Sequence, residues 1–216
     1  IVGRQSVRAF CPDKPVADDL IDDLLEIAGR APSGSNIQPW QVYVVRGEHK
    51  ARITEACSAR YLAGDEGNPE YFYYPQAWRD PYIGRRRETG FGLYGLLGID
   101  RHDAPAVQAY RVLNYQFFGA PVALFFTIDR DMEQGSWVDY GMFLQSLMLA
   151  AREQGLETCA QAAFCPYYDS VMPILGAPSE QMLVCGMSIG YADSDAVINE
   201  YRTSRLPVDV FRTRLG

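Results

Sequence analysis

The stretch from residue 122 to residue 155 constrains the fold most, because an apolar strand is followed closely by a long helix. Residues 122–128, VALFFTI, form the short continuous apolar run that is typical of a buried strand. Ser136 is the predicted N-cap of the helix, and Gly155 is its predicted stop. The helix carries an apolar stripe through Met142, Phe143, Leu144, Leu147 and Ala151. A chain with both elements folds into a combination of helices and sheet.

The rest of the chain contains shorter helices and strands. The patterns predict helices over residues 17–30, 48–60, 104–118 and 169–176, and strands over residues 41–45, 156–162 and 182–190. We expect a single domain over residues 1–216. Residues 61–98 are rich in Tyr, Trp, Gly and Pro without a steady period, and are predicted to form a lid-like excursion over a site. The polar tail, residues 191–216, is expected to lie on a second subunit because it has no core of its own.

Charge and composition exclude several classes of protein. The chain has 20 basic and 27 acidic residues, a net charge of −7, which argues against nucleic-acid binding. It has no signal-like N-terminal run and no apolar stretch of about 18 residues, so no membrane segment is expected. The odd number of cysteines without CxxC spacing predicts free thiols in a reducing cytoplasm.

Few side chains in this sequence are equipped for catalysis. The two histidines, His49 and His102, lack metal-ligand spacing, so no metal site is expected. Cys159 follows a strand pattern and is interpreted as a buried hydrophobe rather than a nucleophile. Residues 90–95, GFGLYG, fit GxGxxG but follow GRRRET, which is not a strand, so a dinucleotide fingerprint is rejected. If the chain is an enzyme, an organic cofactor is expected to do the redox step.

The loop APSGSNIQPW, residues 31–40, joins an amphipathic helix to a strand and is unusually rich in amides and hydroxyls. Its prolines stiffen the backbone, and Gly34 permits a close backbone approach. The plain interpretation is a capped helix-to-strand turn. The functional interpretation is an ordered set of amides held against a planar ring, because an amide can donate and accept side by side.

Several motifs, in this order along the chain, closely resemble those of the FMN-dependent nitroreductase family. They are RQSVRAF at residues 4–10, APSGSNIQPW at 31–40, NYQFFGAPVALFFTID at 114–129, the helix and strand WVDYGMFLQSLMLAAREQGLETCAQAA at 137–163, and SRLP at 204–207. The resemblance covers nearly the whole chain except residues 61–98. It implies an α+β fold: a three-layer α/β/α sandwich with a central, mainly antiparallel sheet. It further implies an intertwined homodimer with FMN at the subunit interface and residues 191–216 embracing the partner.

The resemblance assigns two groups of residues to FMN. The first binds the phosphate and ribityl chain, where the planar guanidinium matches phosphate oxygens, and consists of Arg4, Gln5, Ser6, Arg8 and Arg205. The second binds the flavin ring through amides and backbone groups, and consists of Pro32, Ser33, Gly34, Ser35, Asn36, Gln38, Asn114, Gln161, Ala162 and Ala163. The chain has Thr203 where many relatives have lysine. Either a phosphate contact is lost there or Arg202 replaces it.

The implied reaction has two steps. NAD(P)H gives a hydride to flavin N5, and the reduced flavin gives it to a nitroaromatic or quinone in the same slot, without a catalytic side chain. Other reactions of the family stay open at this point, namely ene reduction, reductive dehalogenation and flavin fragmentation. A non-catalytic flavin-binding protein is the alternative from a different class.

Aromatic side chains crowd residues 71–82, in the part of the chain least like the family. Such a density indicates either a satellite core or a slot for a flat, small aromatic acceptor. We predict that Tyr73, Trp78 and Tyr82 line the substrate slot. Residues 85–87, three arginines, are interpreted as a solvated face, with the 2′-phosphate of NADPH as the alternative.

Overall fold

A four-stranded antiparallel sheet forms the centre of the computed structural model, which describes residues 1–216. The strands are β1 (Gln41–Val45), β2 (Val122–Asp129), β3 (Glu157–Gln161) and β4 (Gln181–Gly190), and their spatial order is β1-β2-β4-β3. All three neighbouring pairs are antiparallel. Each strand predicted from the sequence is confirmed, with ends that differ by one residue at most.

The chain contains seven α-helices. They are α1 (Asp18–Ala28), α2 (Gly47–Leu62), α3 (Tyr82–Leu97), α4 (Ala104–Val112), α5 (Gln134–Glu153), α6 (Tyr168–Leu175) and α7 (Val208–Phe211). Short 3-10 turns occur at Gly34–Asn36, Phe117–Gly119, Ala162–Tyr167 and Val197–Glu200. No helix combines the length and the apolar character that crossing a membrane demands.

Two separate apolar cores lie on the two faces of the sheet, which confirms the predicted three-layer sandwich. Neighbouring residues of β2 belong to different cores. Phe125 packs with residues of α2 and α6, whereas Leu124 packs with residues of α1 and α5. Because both faces are covered, β2 is buried along nearly its whole length. This double burial explains why its sequence is a continuous apolar run rather than an alternating one.

The long helix begins earlier than predicted. Its N-cap is Glu133, and Ser136 lies within the first turn, where its hydroxyl donates to Met132 Sδ at 3.6 Å. The predicted N-cap role of Ser136 is therefore wrong, because its hydroxyl bonds backwards to Met132 instead of to a free backbone N–H of the first turn. The predicted stop is confirmed: Gly155 has φ +75, and Leu156 donates its N–H to Ala151 O at 2.9 Å.

The predicted helix over residues 104–118 is too long, because α4 ends at Val112. Phe117 and Phe118 adopt left-handed conformations, with φ of 55 and 53, and both are buried. Phe118 also accepts a hydrogen bond from Phe10 N at 3.0 Å, which ties this turn to the N-terminal segment. Burial of both rings thus outweighs continuation of the helix.

The excursion of residues 61–98 is more ordered than its sequence suggests, because α3 occupies Tyr82–Leu97. Only Leu93 of this helix is buried, so no apolar stripe marks it. The GFGLYG stretch lies inside α3, which confirms that it is not a strand-to-helix phosphate loop. The part before α3 is fastened to the body, since Asn68 N donates to Pro166 O at 2.8 Å.

The first part of the tail packs on its own chain, contrary to the expectation that residues 191–216 have no local partner. Ile198 is buried, and Asn199 Nδ2 donates to Ala9 O at 2.8 Å. Ser204 Oγ donates to Glu88 Oε1 at 2.8 Å, which fastens the tail at Ser204 to α3. Residues 205–216 are exposed throughout.

Candidate functional site

A cavity of about 920 Å³ lies where the end of β3, the turn after α4 and the segment before α3 meet. Its volume falls in the upper part of the range of small-molecule sites. The predicted site residues in its lining are Arg8, Tyr73, Asn114, Gln161, Ala162 and Ala163. Residues from distant parts of the sequence are therefore brought to one site.

The N-terminal segment reaches this cavity by pairing with β3. Ser6 forms a parallel bridge with Thr158, and Val7 donates its N–H to Thr158 O at 3.0 Å. This pairing places Arg8 in the lining, where its Nη1 donates to Ser6 O at 3.2 Å. Arg8 has no carboxylate partner, because the ion pairs of the protein involve other arginines.

Asn199 holds the same segment from the other side. Its Oδ1 accepts a hydrogen bond from Arg8 N at 2.9 Å, and its backbone carbonyl accepts one from Gln5 Nε2 at 3.1 Å. The other end of this amide, Gln5 Oε1, is buried and has no hydrogen-bond partner in the protein. A buried carbonyl oxygen without a partner is costly, so only the Nε2 end of Gln5 contributes to holding the segment.

Gln161 is an internal bridge. Its side chain is 2% exposed, its Nε2 donates to Asn114 O at 2.6 Å, and its Oε1 accepts from Ser188 Oγ at 2.6 Å. Both ends of this amide are engaged within the protein, so the side chain is held in one orientation. The bridge sets the position of Asn114 relative to the end of β3.

Cys159 also lines the cavity, and burial raises the pKa of its thiol to about 11, against the opposing effect of Arg8 and Arg4. The thiol is therefore neutral at physiological pH. Cys159 is 3% exposed and packs in an apolar core, which agrees with its interpretation as a small buried hydrophobe.

Tyr71 and Tyr73 separate the main cavity from a smaller one of about 220 Å³, which is lined mostly by apolar residues of α5 and β4. The Tyr71 hydroxyl donates to Val184 O, and its ring packs on Trp137 with centroids 4.7 Å apart. Burial raises the pKa of Tyr71, so the hydroxyl stays protonated. This tyrosine is a fixed wall rather than a mobile side chain.

The predicted substrate residues are divided between two places. Tyr73 lines the main cavity, whereas Trp78 and Tyr82 line a neighbouring surface pocket of about 450 Å³. Arg86 belongs to both linings, and its guanidinium lies 4.5 Å from the centre of the Trp78 ring. Within one chain, the excursion thus presents Tyr73 and not Trp78 to the main cavity.

The loop of residues 33–38 lies outside the main cavity of its own chain. Ser33 Oγ accepts a hydrogen bond from Gln38 N at 3.0 Å, and Gln38 Nε2 donates to Asn36 O at 3.1 Å. Ser35, Asn36 and Gln38 all have positive φ, between 50 and 58. The neighbouring Pro32 is exposed. Left-handed conformations in non-glycine residues cost energy and concentrate at binding sites.

The two tail arginines are exposed and are also absent from the cavity lining. Arg202 Nη1 donates to Asn199 O at 2.7 Å. Arg205 Nη1 donates to the Thr203 hydroxyl and to Ser204 O. Thr203, the departure from the family pattern, therefore orients Arg205 in this chain.

Sequence reasoning missed Arg111 and Tyr71, which also line the cavity. Arg86, interpreted with its neighbours as part of a solvated face, is exposed and lines the cavity as well. Arg111 lies three residues before Asn114, near the end of α4, and its Nε donates to Tyr94 OH at 3.0 Å. The sequence did contain a signal for Arg111. In the predicted helix of residues 104–118, Arg111 lies one turn before Asn114, and residues one turn apart share a helix face.

Known proteins resemble this chain over its whole length. The model of the nitroreductase family matches residues 1–191. A 4-nitrobenzoate reductase from Pseudomonas putida is 40% identical over 216 residues, 100% of this chain and 94% of that protein. A nitrobenzene nitroreductase from Ectopseudomonas oleovorans is 40% identical over 211 residues, 97% of this chain and 92% of that protein. The crystal structure of the FMN- and NADPH-dependent nitroreductase NfnB from Sphigopyxis sp. strain HMH superimposes with a TM-score of 0.95 at 42% identity, covering 99% of this chain and 96% of that one.

Proposed function

Because this chain belongs to the nitroreductase family, we propose that it is an FMN-dependent oxidoreductase that reduces nitroaromatic compounds with NAD(P)H. When bound, FMN supplies the redox chemistry, taking a hydride from NAD(P)H and passing it to the nitro compound. The observation that carries the assignment is the cavity that joins Arg8, Asn114 and the backbone of residues 161–163. It brings together the groups that a phosphate and a flavin ring require.

The donors and acceptors of the cavity fit FMN. Arg8 provides a guanidinium without a carboxylate partner for the phosphate. The Asn114 side chain supplies both a donor and an acceptor for the edge of the ring. Volume, charge and hydrogen-bonding capacity thus agree with the cofactor.

The protein's own contribution is to bind, orient and exclude water. Asn199 bonds the backbone N–H of Arg8, and Gln161 bonds the backbone carbonyl of Asn114, so the backbone at both contact residues is ordered before a ligand arrives. Such prior ordering lowers the entropic cost of binding. The aromatic side chains of Tyr71, Tyr73 and Tyr115 form flat walls that keep water from the reacting groups.

The site is completed, in this proposal, by a second copy of the chain. Gly34, Asn36 and Gln38 belong to a strained and exposed loop that its own cavity does not use. Large apolar side chains are also exposed on α5 and on the tail, at Val138, Met142, Val208, Val210 and Phe211. A twofold-symmetric dimer that buries these surfaces would bring the loop of each chain to the cavity of the other. The tail arginines Arg202 and Arg205 would contact FMN in the same assembly.

We place the enzyme in the cytoplasm, where NAD(P)H is regenerated. All five cysteines are free thiols, and four of them are buried. Proteins of reducing compartments keep their cysteines in this form.

The test of the proposed function is a steady-state assay of the protein reconstituted with FMN. We expect NADPH oxidation that depends on an added nitroaromatic compound and yields a hydroxylamine or amine product by chromatography. Binding of FMN without any turnover would instead identify a flavin-binding protein that is not an enzyme.

A further inference from the structure

All charged side chains that line the main cavity are positive. Its 20 lining residues include Arg8, Arg86 and Arg111, but no Asp or Glu. None of these arginines takes part in an ion pair, although the chain has 27 acidic residues against 20 basic ones. A concave site of one charge sign attracts ligands of the other sign. The cavity is therefore built for anions.

One anion does not account for all three arginines. In the proposed function the FMN phosphate is bound by residues of the N-terminal segment, which includes Arg8. Arg86 and Arg111 come from α3 and α4 instead, and remain for a second anion.

Both remaining guanidinium groups are held by neutral partners. Arg111 donates its Nε–H to Tyr94 OH and also engages the neutral Tyr61 side chain, which still leaves N–H groups of its Nη atoms for a ligand. Arg86 lies against the rings of Trp78 and Tyr74, at 4.5 and 5.6 Å from their centres. A guanidinium on an aromatic face keeps its full charge and its N–H donors. Both residues are exposed, so a ligand entering the cavity can reach them.

We propose that Arg86 and Arg111 form a carboxylate-binding subsite, and that the preferred acceptors are nitroaromatic carboxylates such as 4-nitrobenzoate rather than neutral nitroarenes. This inference rests on the proposed function. The aromatic walls bind the flat ring, and the arginine forks bind the carboxylate, so one ligand satisfies both features of the cavity. The phosphates of NADPH share this anionic chemistry, and the experiment separates the two sources.

The experiment compares 4-nitrobenzoate with its neutral methyl ester as acceptors of the FMN-loaded enzyme. We expect Arg86→Gln and Arg111→Gln each to lower kcat/KM for 4-nitrobenzoate by about 10- to 100-fold, the effect of losing a hydrogen bond to a charged group. The same variants should change kcat/KM for the methyl ester by less than about threefold. Arg87→Gln is the matched control, because it removes the same charge from α3 but lies outside both linings.

A binding measurement complements the kinetics. Benzoate carries the carboxylate but no nitro group, so it binds without being reduced. Its binding should perturb the absorbance of the oxidised flavin. The dissociation constant of benzoate should rise in Arg86→Gln and Arg111→Gln but not in Arg87→Gln. Equal losses for the acid and the ester would overturn the inference. The inference would also be overturned if Arg86→Gln and Arg111→Gln raised KM for NADPH but not for NADH and left the dissociation constant of benzoate unchanged. That result would assign the two arginines to binding of the NADPH phosphate. If the wild type binds FMN but reduces neither acceptor, the proposed function itself has failed.

Discussion

The backbone N–H of Gly34 donates a hydrogen bond of 3.0 Å to Asp139 Oδ2. Asp139 is a buried carboxylate in α5, so this bond fastens the exposed loop of residues 33–38 to the longest helix of the protein. The backbone of the loop is held in left-handed conformations by this anchor and by its internal hydrogen bonds. The loop is therefore shaped before any ligand or second copy reaches it.

Removing this anchor is expected to destabilise the protein and loosen the loop. Asp139→Ala should lower the free energy of unfolding by about 1.5–3 kcal/mol, because a hydrogen bond to a charged group is lost. Asp139→Asn keeps an acceptor oxygen and should lose less. Urea unfolding of the three proteins measures the difference, and equal midpoints for wild type and Asp139→Ala would show that the bond is not an anchor.

Whether each FMN site is formed by both chains of a dimer can be tested by combining two different variant chains in one heterodimer. We expect Arg8→Ala and Asn36→Ala homodimers both to bind FMN poorly. A heterodimer of one Arg8→Ala chain and one Asn36→Ala chain should recover an intact site, because both defects then fall in the other site.

The measurement is the FMN content of the doubly tagged heterodimer purified over two affinity resins. A heterodimer that holds no more FMN than its parents would mean that the loop and the cavity of the same chain bind the cofactor together. A wild-type homodimer processed in the same way is the control for cofactor loss.

Tyr73 is expected to contribute more to acceptor binding than Trp78, because only Tyr73 lines the main cavity. Tyr73→Ala should raise KM for nitroaromatic acceptors by about 2- to 10-fold, which corresponds to about 0.5–1.5 kcal/mol of aromatic stacking. Trp78→Ala and Tyr82→Ala serve as controls of the same excursion. A larger effect of either control would place the substrate at the outer pocket.

Alkaline pH is expected to destabilise the fold through Cys159. Its folded pKa of about 11 lies above the unfolded value, so the folded state binds the proton more tightly and its stability falls as pH rises towards 11. This thiol contributes a slope of at most about 1.4 kcal/mol per pH unit above the unfolded pKa of about 8.5.

Urea unfolding between pH 8 and pH 10 should therefore show a shallower decline for Cys159→Ala than for wild type. Comparing the two slopes cancels the effect of the tyrosines and the other buried cysteines, which both proteins share. Identical slopes would show that the pKa of Cys159 is the same in the folded and the unfolded protein.

The family resemblance predicted the layers of this fold. The apolar patterns predicted all four strands and most helices, because strongly apolar elements such as β2 and α5 reveal their burial directly. They missed α3, since a helix that buries only Leu93 has no apolar stripe. They also extended α4 into the turn at Phe117, where tertiary burial of aromatic rings decides the backbone.

The candidate site was predicted less completely. The resemblance placed Arg8 and Asn114 in the site, and both line the cavity. Arg86 and Arg111 were not predicted as a pair, because only the packing of α3 near α4 brings these two charges to one cavity. The relation of Asn36 to the cavity depends on a second copy, which no pattern in a single chain describes.

In the proposed reaction, this cavity binds an FMN that NADPH reduces and that a nitroaromatic compound reoxidises. The most direct measurement is an anaerobic titration of the FMN-loaded protein, followed by its yellow absorbance. We expect NADPH to bleach the flavin in proportion to the amount added, and 4-nitrobenzoate to restore the colour. Bound flavin that stays yellow in excess NADPH, or protein that retains no FMN after reconstitution, would contradict the account.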